Sequence, residues 1–252
     1  MGIRNGGVSM RQHLSVLMLA ARSTIYKILG LFAFTAVAEC ALFYFALQKT
    51  LGGEPLALEQ LMSESRIALV CGVSFLLLCA LLSLTGCEIG GSKLRYTLQR
   101  LSIGEITIVF WWAVYNVACF FLFWALHVVI VLLLSRLYVA RMDTAYVSGQ
   151  TILLAFSRNN FLHSLLPLAE TSRYIRNAIF VLSLGISAAC FAYRQRRGEK
   201  VFAIVVLAML VVVYFSKAMG NFGSDLLLSL TALGITGCAI GIWKGRGLED
   251  ES

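Results

Sequence analysis

Six long apolar stretches, each bounded by polar or charged residues, take up most of this chain. They run over Ile28–Gln48, Ile67–Cys87, Thr107–Ser135, Ile175–Tyr193, Val201–Ser216 and Leu226–Trp243. A hydrocarbon core about 30 Å thick is crossed by about 20 apolar residues of α-helix. Val201–Ser216 is the shortest stretch, and it reaches that length if Lys200 and Lys217 extend their amines to the interface. Because a backbone in lipid must satisfy its own hydrogen bonds, the pattern predicts an all-α polytopic membrane protein with six transmembrane helices.

The composition indicates a single membrane domain. Hydrophobic residues make up 59% of the chain and charged residues 13%, against about 45–50% and 25% in soluble domains. We therefore interpret residues 1–252 as one transmembrane domain, with a cytoplasmic interfacial segment at 1–27, a six-helix bundle at 28–243 and a cytoplasmic tail at 244–252. The chain has a net charge of +8, and its basic residues lie mainly in the connections between the stretches. This distribution indicates membrane orientation and not nucleic-acid binding.

Basic residues predict the orientation. The shortest connection, residues 194–200, is also the most basic, with Arg194, Arg196, Arg197 and Lys200. Short basic connections stay on the cytoplasmic side. We therefore expect a multi-pass protein of the plasma membrane, of bacterial type, with both termini in the cytoplasm.

Apolar residues at three- and four-residue steps precede the first stretch, among them Leu14, Leu17, Met18, Ala21 and Ile25. This spacing is typical of an amphipathic helix lying in the membrane interface. The alternative is a cytosolic tail that orders only in part.

The connection over residues 136–174 contains two apolar runs, 152–156 and 161–168, that are too short to span. Arg158, Asn159 and Asn160 separate them. We expect two short helices at the outer face or a re-entrant hairpin. Such a segment acts either as a gate or as a cap on the bundle, and the sequence leaves both open.

A short helix is predicted over residues 92–101, between the second and third stretches. Ser92 can cap it, and its leucines recur at i, i+4 and i+7. The leucines are Leu94, Leu98 and Leu101, and Arg95, Gln99 and Arg100 point elsewhere. An amphipathic basic helix at the cytoplasmic surface suits a cytosolic partner; the alternative is a loop that only contacts lipid headgroups.

The order of an interfacial helix, two spans, this short helix and a long third span resembles a permease of the type-2 ABC exporter family, over about residues 10–134. The resemblance implies that residues 92–101 form the coupling helix, with Leu94, Arg95, Leu98, Arg100 and Leu101 contacting an ATPase subunit. It also implies six spans, and a homodimer or heterodimer of permeases in the membrane lipids.

The chain has no phosphate-binding loop of its own, because no Gly-Lys dipeptide occurs in it. ATP would therefore be bound by a separate P-loop ATPase, and we expect neither an enzyme nor a cofactor in this chain. The histidines, His13, His127 and His163, lie on different segments, and no cysteines have Cys-x-x-Cys spacing. This spacing predicts no metal site.

Few polar residues lie inside the apolar stretches, and three of them form the candidate intramembrane site: Glu39, Asn116 and His127. Glu39 lies about 16 Å along the first span and Asn116 about 14 Å along the third, so the two are expected to meet near mid-membrane. Glu39 then either carries charge during function or locks helix packing. His127, nearer the outer end, is expected to be a hydrogen-bonded packing residue.

Together these features predict the permease subunit of an ATP-driven exporter, with an amphipathic peptide, lipid or drug-like cargo. The alternative is a membrane protein without transport activity that acts as a sensor, scaffold or assembly factor.

Overall fold

The computed structural model describes residues 10–53, 55–84, 105–143, 146–168, 170–196, 202–215, 217 and 222–247. All regular structure in these ranges is helical. In chain order the helices are α1 (Met10–Leu51), α2 (Leu58–Glu64), α3 (Ile67–Ser83), α4 (Glu105–Arg141), α5 (Thr151–Arg158), α6 (Asn160–Leu165), α7 (Thr171–Arg196), α8 (Ala203–Tyr214) and α9 (Phe222–Gly247).

Four of the described helices are long and apolar enough to cross a membrane. The qualifying segments are Ala21–Leu51, Ile106–Arg141, Thr171–Gln195 and Phe222–Gly241, which belong to α1, α4, α7 and α9. A fifth candidate exists if α2 and α3, which meet at a 49° bend, form one broken span. The multi-pass all-α architecture agrees with the sequence prediction, but six spans are not confirmed. The number of candidate spans is lower than six mainly because α8 has 12 residues and extends only about 18 Å.

The first helix is continuous over 42 residues. The interfacial helix predicted before residue 28 is therefore not confirmed as a separate element, because residues 10–27 run into the first span without a break. Residues 1–9 lie outside the described part of the chain.

Two apolar clusters, one toward each end of the bundle, form the core. The first includes Phe75, Trp112, Phe123, Leu184 and Leu207, from α3, α4, α7 and α8. The second includes Phe43, Leu61, Ile130, Tyr138 and Phe156, from α1, α2, α4 and α5. Along both α1 and α4 a short interval separates the two clusters. The candidate site lies in that interval.

The helices α1 and α4 run in the same direction with a defined register. Near the start of each, Thr24 Oγ1 lies 2.9 Å from Tyr115 Oη. Glu39 lies 15 positions beyond Thr24 in α1, and His127 lies 12 positions beyond Tyr115 in α4, so the two contacts advance in the same direction along both helices. This register places Glu39 at the level of His127.

The helices α2, α5 and α6 cover one end of the bundle, hereafter the cap end. Asn159, between α5 and α6, accepts hydrogen bonds from the Phe161 and Leu162 amides at 3.0 and 3.2 Å. Its Nδ2 donates to Glu59 O at 3.1 Å and to Ser63 Oγ at 3.0 Å. Two short helices are thus present in this connection, and Asn159, which separates them, also bonds to α2.

Gly185 of α7 marks a close crossing with α4. A Cβ atom there would lie 2.8 Å from Val117 N and 3.0 Å from Val117 Cα. We predict that Gly185→Ala destabilises the protein by about 1–3 kcal/mol, because a helix backbone cannot move aside as a flexible side chain can. Denaturation in detergent measures the effect, and Gly234→Ala is the matched control, since nothing lies within 4 Å of that position. Equal stability of the two variants would contradict the tight crossing.

Candidate intramembrane site

Polar side chains from three helices meet between the two apolar clusters: Glu39 of α1, Cys71 of α3 and His127 of α4. The Nε2 atom of His127 lies 3.1 Å from Glu39 Oε1. The carboxylate, thiol and imidazole atoms of the three all lie within 4.8 Å of one another. Glu39 is 0% exposed and His127 is 1% exposed, so neither side chain reaches the surface of the bundle.

The other ring nitrogen of His127 determines how the imidazole faces this group. Nδ1 lies 2.8 Å from Phe123 O. A carbonyl oxygen only accepts hydrogen bonds, so Nδ1 must donate, and this assignment of the tautomer rests on that contact. A neutral His127 therefore presents the bare lone pair of Nε2 toward Glu39. The pair is electrically neutral overall when it holds one proton, either on the Glu39 carboxyl group or on His127 Nε2.

The three polar atoms at the centre of the site lack fully formed hydrogen bonds. Within the described residues, neither Glu39 oxygen has a hydrogen-bond partner, and His127 Nε2 has none either. The 3.1 Å approach is close enough for an ionic contact but lacks hydrogen-bond alignment. A buried polar group without a partner costs about 1–3 kcal/mol. Such an arrangement calls for a functional explanation.

A largely apolar cavity of about 150 Å³ adjoins the site. Cys71 and His127 line it beside a group of aromatic side chains, and Asn177 of α7 supplies another polar group. The aromatic side chains are Phe75, Phe120, Phe123, Trp124, Phe161, Phe180 and Phe215. The polar cluster therefore has an adjacent space into which a ligand fits.

The structure brings two of the predicted site residues together and separates the third. Glu39 contacts His127, whereas Asn116 donates from Nδ2 to Gly185 O at 3.4 Å. Asn116 lies about 16 Å from the level of His127 along α4. The expected meeting of Glu39 with Asn116 is not what the structure shows, because distances counted from the ends of apolar stretches ignore how α1 and α4 pack. His127, expected to be a packing residue, is the partner of Glu39.

The sequence reasoning missed Cys71. Cys71 has no Cys-x-x-Cys partner in the sequence, and the residues that it meets in the structure lie on other helices. The predicted coupling residues Leu94, Arg95, Leu98, Arg100 and Leu101 lie outside the described residues.

A second polar network, which the sequence analysis did not predict, lies near the cap end between α7 and α9. Arg176 donates to Asp225 Oδ1 at 2.9 Å and Ser172 donates to Asp225 Oδ2 at 3.0 Å. Arg176 also contacts Asn177 Oδ1 at 3.2 Å, and Asn177 donates to Ser164 O at 2.8 Å. Arg176 and Asp225 are both buried. The available signal was a pair of opposite charges at the edges of two apolar stretches, Ile175–Tyr193 and Leu226–Trp243.

The chain matches no family model, no curated protein and no solved structure.

Proposed function

We propose that this chain is the permease subunit of an ATP-driven exporter of the type-2 ABC kind, working with a separate P-loop ATPase. The observation that carries the proposal is the buried Glu39–His127 pair beside an apolar cavity inside a bundle of membrane-length helices. Ionisable residues at such a depth mark substrate or ion pathways by default. A carboxylate buried without a full hydrogen bond costs stability, so its presence favours a functional role over a purely structural one.

The cavity suggests the kind of cargo. Its walls are mainly aromatic and aliphatic, with His127 and Asn177 as polar contacts, which suits an apolar or amphipathic molecule. Sites for drug-sized ligands are about 300–1,000 Å³, so this cavity of about 150 Å³ holds only part of such a cargo. A complete path then requires opening of the bundle or a second permease copy.

The proposal includes six spans. The α2–α3 pair serves as the second span, and α8 serves as the fifth with Lys200 and Lys217 reaching the interface. The starts of α1 and α4 lie at the same end of the bundle, as the contacts of Thr24 with Tyr115 and of Glu39 with His127 together indicate. With both termini in the cytoplasm, residues 92–101 are then on the cytoplasmic side, where an ATPase can bind.

We predict that the double variant Leu98→Asp, Leu101→Asp abolishes association with the ATPase while the protein still inserts in the membrane. Two carboxylates on the apolar face of the segment remove the surface that an ATPase would bury. The measurement is co-purification of an ATP-binding subunit with the tagged chain from native membranes. Gln99→Asp is the matched control, because it adds a carboxylate on the polar side of the same segment, and it should leave co-purification intact.

An unchanged amount of ATPase with the double variant would contradict the coupling role of the segment. If no ATP-binding subunit accompanies the wild-type chain, the exporter proposal fails. The alternative of a sensor, scaffold or assembly factor would then take its place.

A further inference from the structure

We propose that Glu39, Cys71 and His127 form a binding site for a divalent transition-metal ion of the Zn²⁺ type, linking α1, α3 and α4 at the wall of the cavity. The proposal goes beyond transport and does not rest on it. Three kinds of observation support it: the donor set, the orientation and lack of partners of the donor atoms, and the adjoining space.

The donor set suits a borderline metal. One carboxylate, one thiolate and one imidazole are all ligands that Zn²⁺ accepts, whereas Mg²⁺ and Ca²⁺ require oxygen ligands. Zn²⁺ bonds of about 2.0–2.3 Å place tetrahedral ligand atoms about 3.3–3.8 Å apart. The donor atoms here already lie within 4.8 Å of one another. Binding of one ion by all three then requires the most widely separated donor atoms to approach by at most about 1 Å.

Charge balance favours the same ion. On binding, the Glu39 carboxylate and the Cys71 thiolate each supply one negative charge, and His127 binds as the neutral imidazole. The one proton held by the Glu39–His127 pair and the thiol proton leave to water, so two protons are released for each ion bound. A doubly charged cation thus gives a site with no net charge. An isolated charge would be costly to bury at this depth in the bundle.

His127 is already oriented as a metal-binding histidine. Metal-ligating histidines almost always donate their second ring N–H to a carboxylate, a carbonyl or water, which fixes the tautomer and points the other nitrogen at the metal. Here Nδ1 donates to Phe123 O at 2.8 Å, and Nε2 faces Glu39 without a hydrogen bond. Both Glu39 oxygens also lack a partner within the described residues. An ion bound between them would satisfy these atoms together.

The cavity provides the fourth coordination position. Cys71 and His127 both line it, so a metal bound to them would have one side open to that space. Zinc sites with three protein ligands and one open position bind water or a substrate group there. We therefore expect the ion to be accessible to a small ligand from the cavity side.

The test is metal binding by the purified full-length chain in detergent, after removal of metals with a chelator. We expect one Zn²⁺ per chain by calorimetry, and a thiolate-to-metal absorption band when Co²⁺ replaces Zn²⁺. Cys71→Ala should remove the band and weaken Zn²⁺ binding by more than the roughly 10–100-fold that loss of an outer-shell partner costs. His127→Cys retains a ligand and should retain stoichiometric binding, whereas His127→Ala should not.

Matched controls separate this site from another buried cysteine and from the histidine near the cap end. Cys119→Ala removes another buried thiol of the bundle and should leave binding unchanged. His163→Ala removes the histidine 3.4 Å from Glu170 near the cap end and should also leave it unchanged. Absence of stoichiometric Zn²⁺ binding in the wild-type chain would overturn the proposal. So would a Co²⁺ band that persists in Cys71→Ala.

Discussion

Replacing Asp225 by alanine is expected to destabilise this protein by about 3–5 kcal/mol, because the change leaves a buried guanidinium without its counter-ion. Arg176 is 0% exposed and donates to Asp225 at 2.9 Å. The same carboxylate accepts the hydroxyl of Ser172, so the variant also loses a hydrogen bond between α7 and α9. The measurement is denaturant unfolding of the detergent-purified protein.

Two further variants show whether the loss comes from the unpaired charge. In the double variant Arg176→Leu, Asp225→Leu, apolar side chains replace both charges, and such replacements of buried pairs are often neutral or stabilising. We therefore expect it to be more stable than Asp225→Ala alone. Glu59→Ala removes a pair with Arg158, whose side chain is 64% exposed, and should cost about 0–1 kcal/mol. An effect of Asp225→Ala no larger than that of Glu59→Ala would show that the buried pair contributes little.

Replacing Glu39 by glutamine is expected to abolish ATP-driven transport in a protein that still folds and still binds its ATPase. Glutamine keeps the shape of the side chain and can hydrogen-bond, but it cannot ionise. The measurement is ATP-dependent efflux of a fluorescent amphipathic probe from vesicles that contain both subunits. This prediction rests on the proposed function.

Two further variants, Glu39→Leu and Glu59→Gln, are compared with Glu39→Gln. Glu39→Leu removes every polar atom and is expected to disturb the packing of α1 against α4, so its loss of activity would accompany a loss of stability. Glu59→Gln makes the same chemical change at a carboxylate of the cap end and should leave transport normal. Full transport by Glu39→Gln across a range of pH would make Glu39 a structural residue.

The local elements of this protein were predictable from short stretches of sequence. Apolar length predicted the helices of membrane length, because crossing a hydrocarbon core is a property of about 20 consecutive residues. The break between α5 and α6 was also readable. Asn159 stands between two apolar runs, and its side chain caps the helix that follows. Apolar length was less informative for α8. The stretch Val201–Ser216 predicted a fifth span, whereas the helix in it has only 12 residues.

The candidate site was only partly predictable. Glu39 and His127 stood out because polar residues are rare in such apolar stretches, but counting along each stretch paired Glu39 with Asn116. The contact between Thr24 and Tyr115 establishes the register of α1 on α4, and that register brings His127 to Glu39.

The sequence by itself thus determined that this chain is a bundle of apolar helices with few polar residues inside, since hydrophobicity acts along each segment. The tertiary structure alone decided which of those residues meet. Cys71 joins Glu39 and His127, and Arg176 joins Asp225, because partners on different helices are set by helix rotation and register. Those quantities depend on the packing of side chains across the whole bundle, and no single segment of the sequence encodes them.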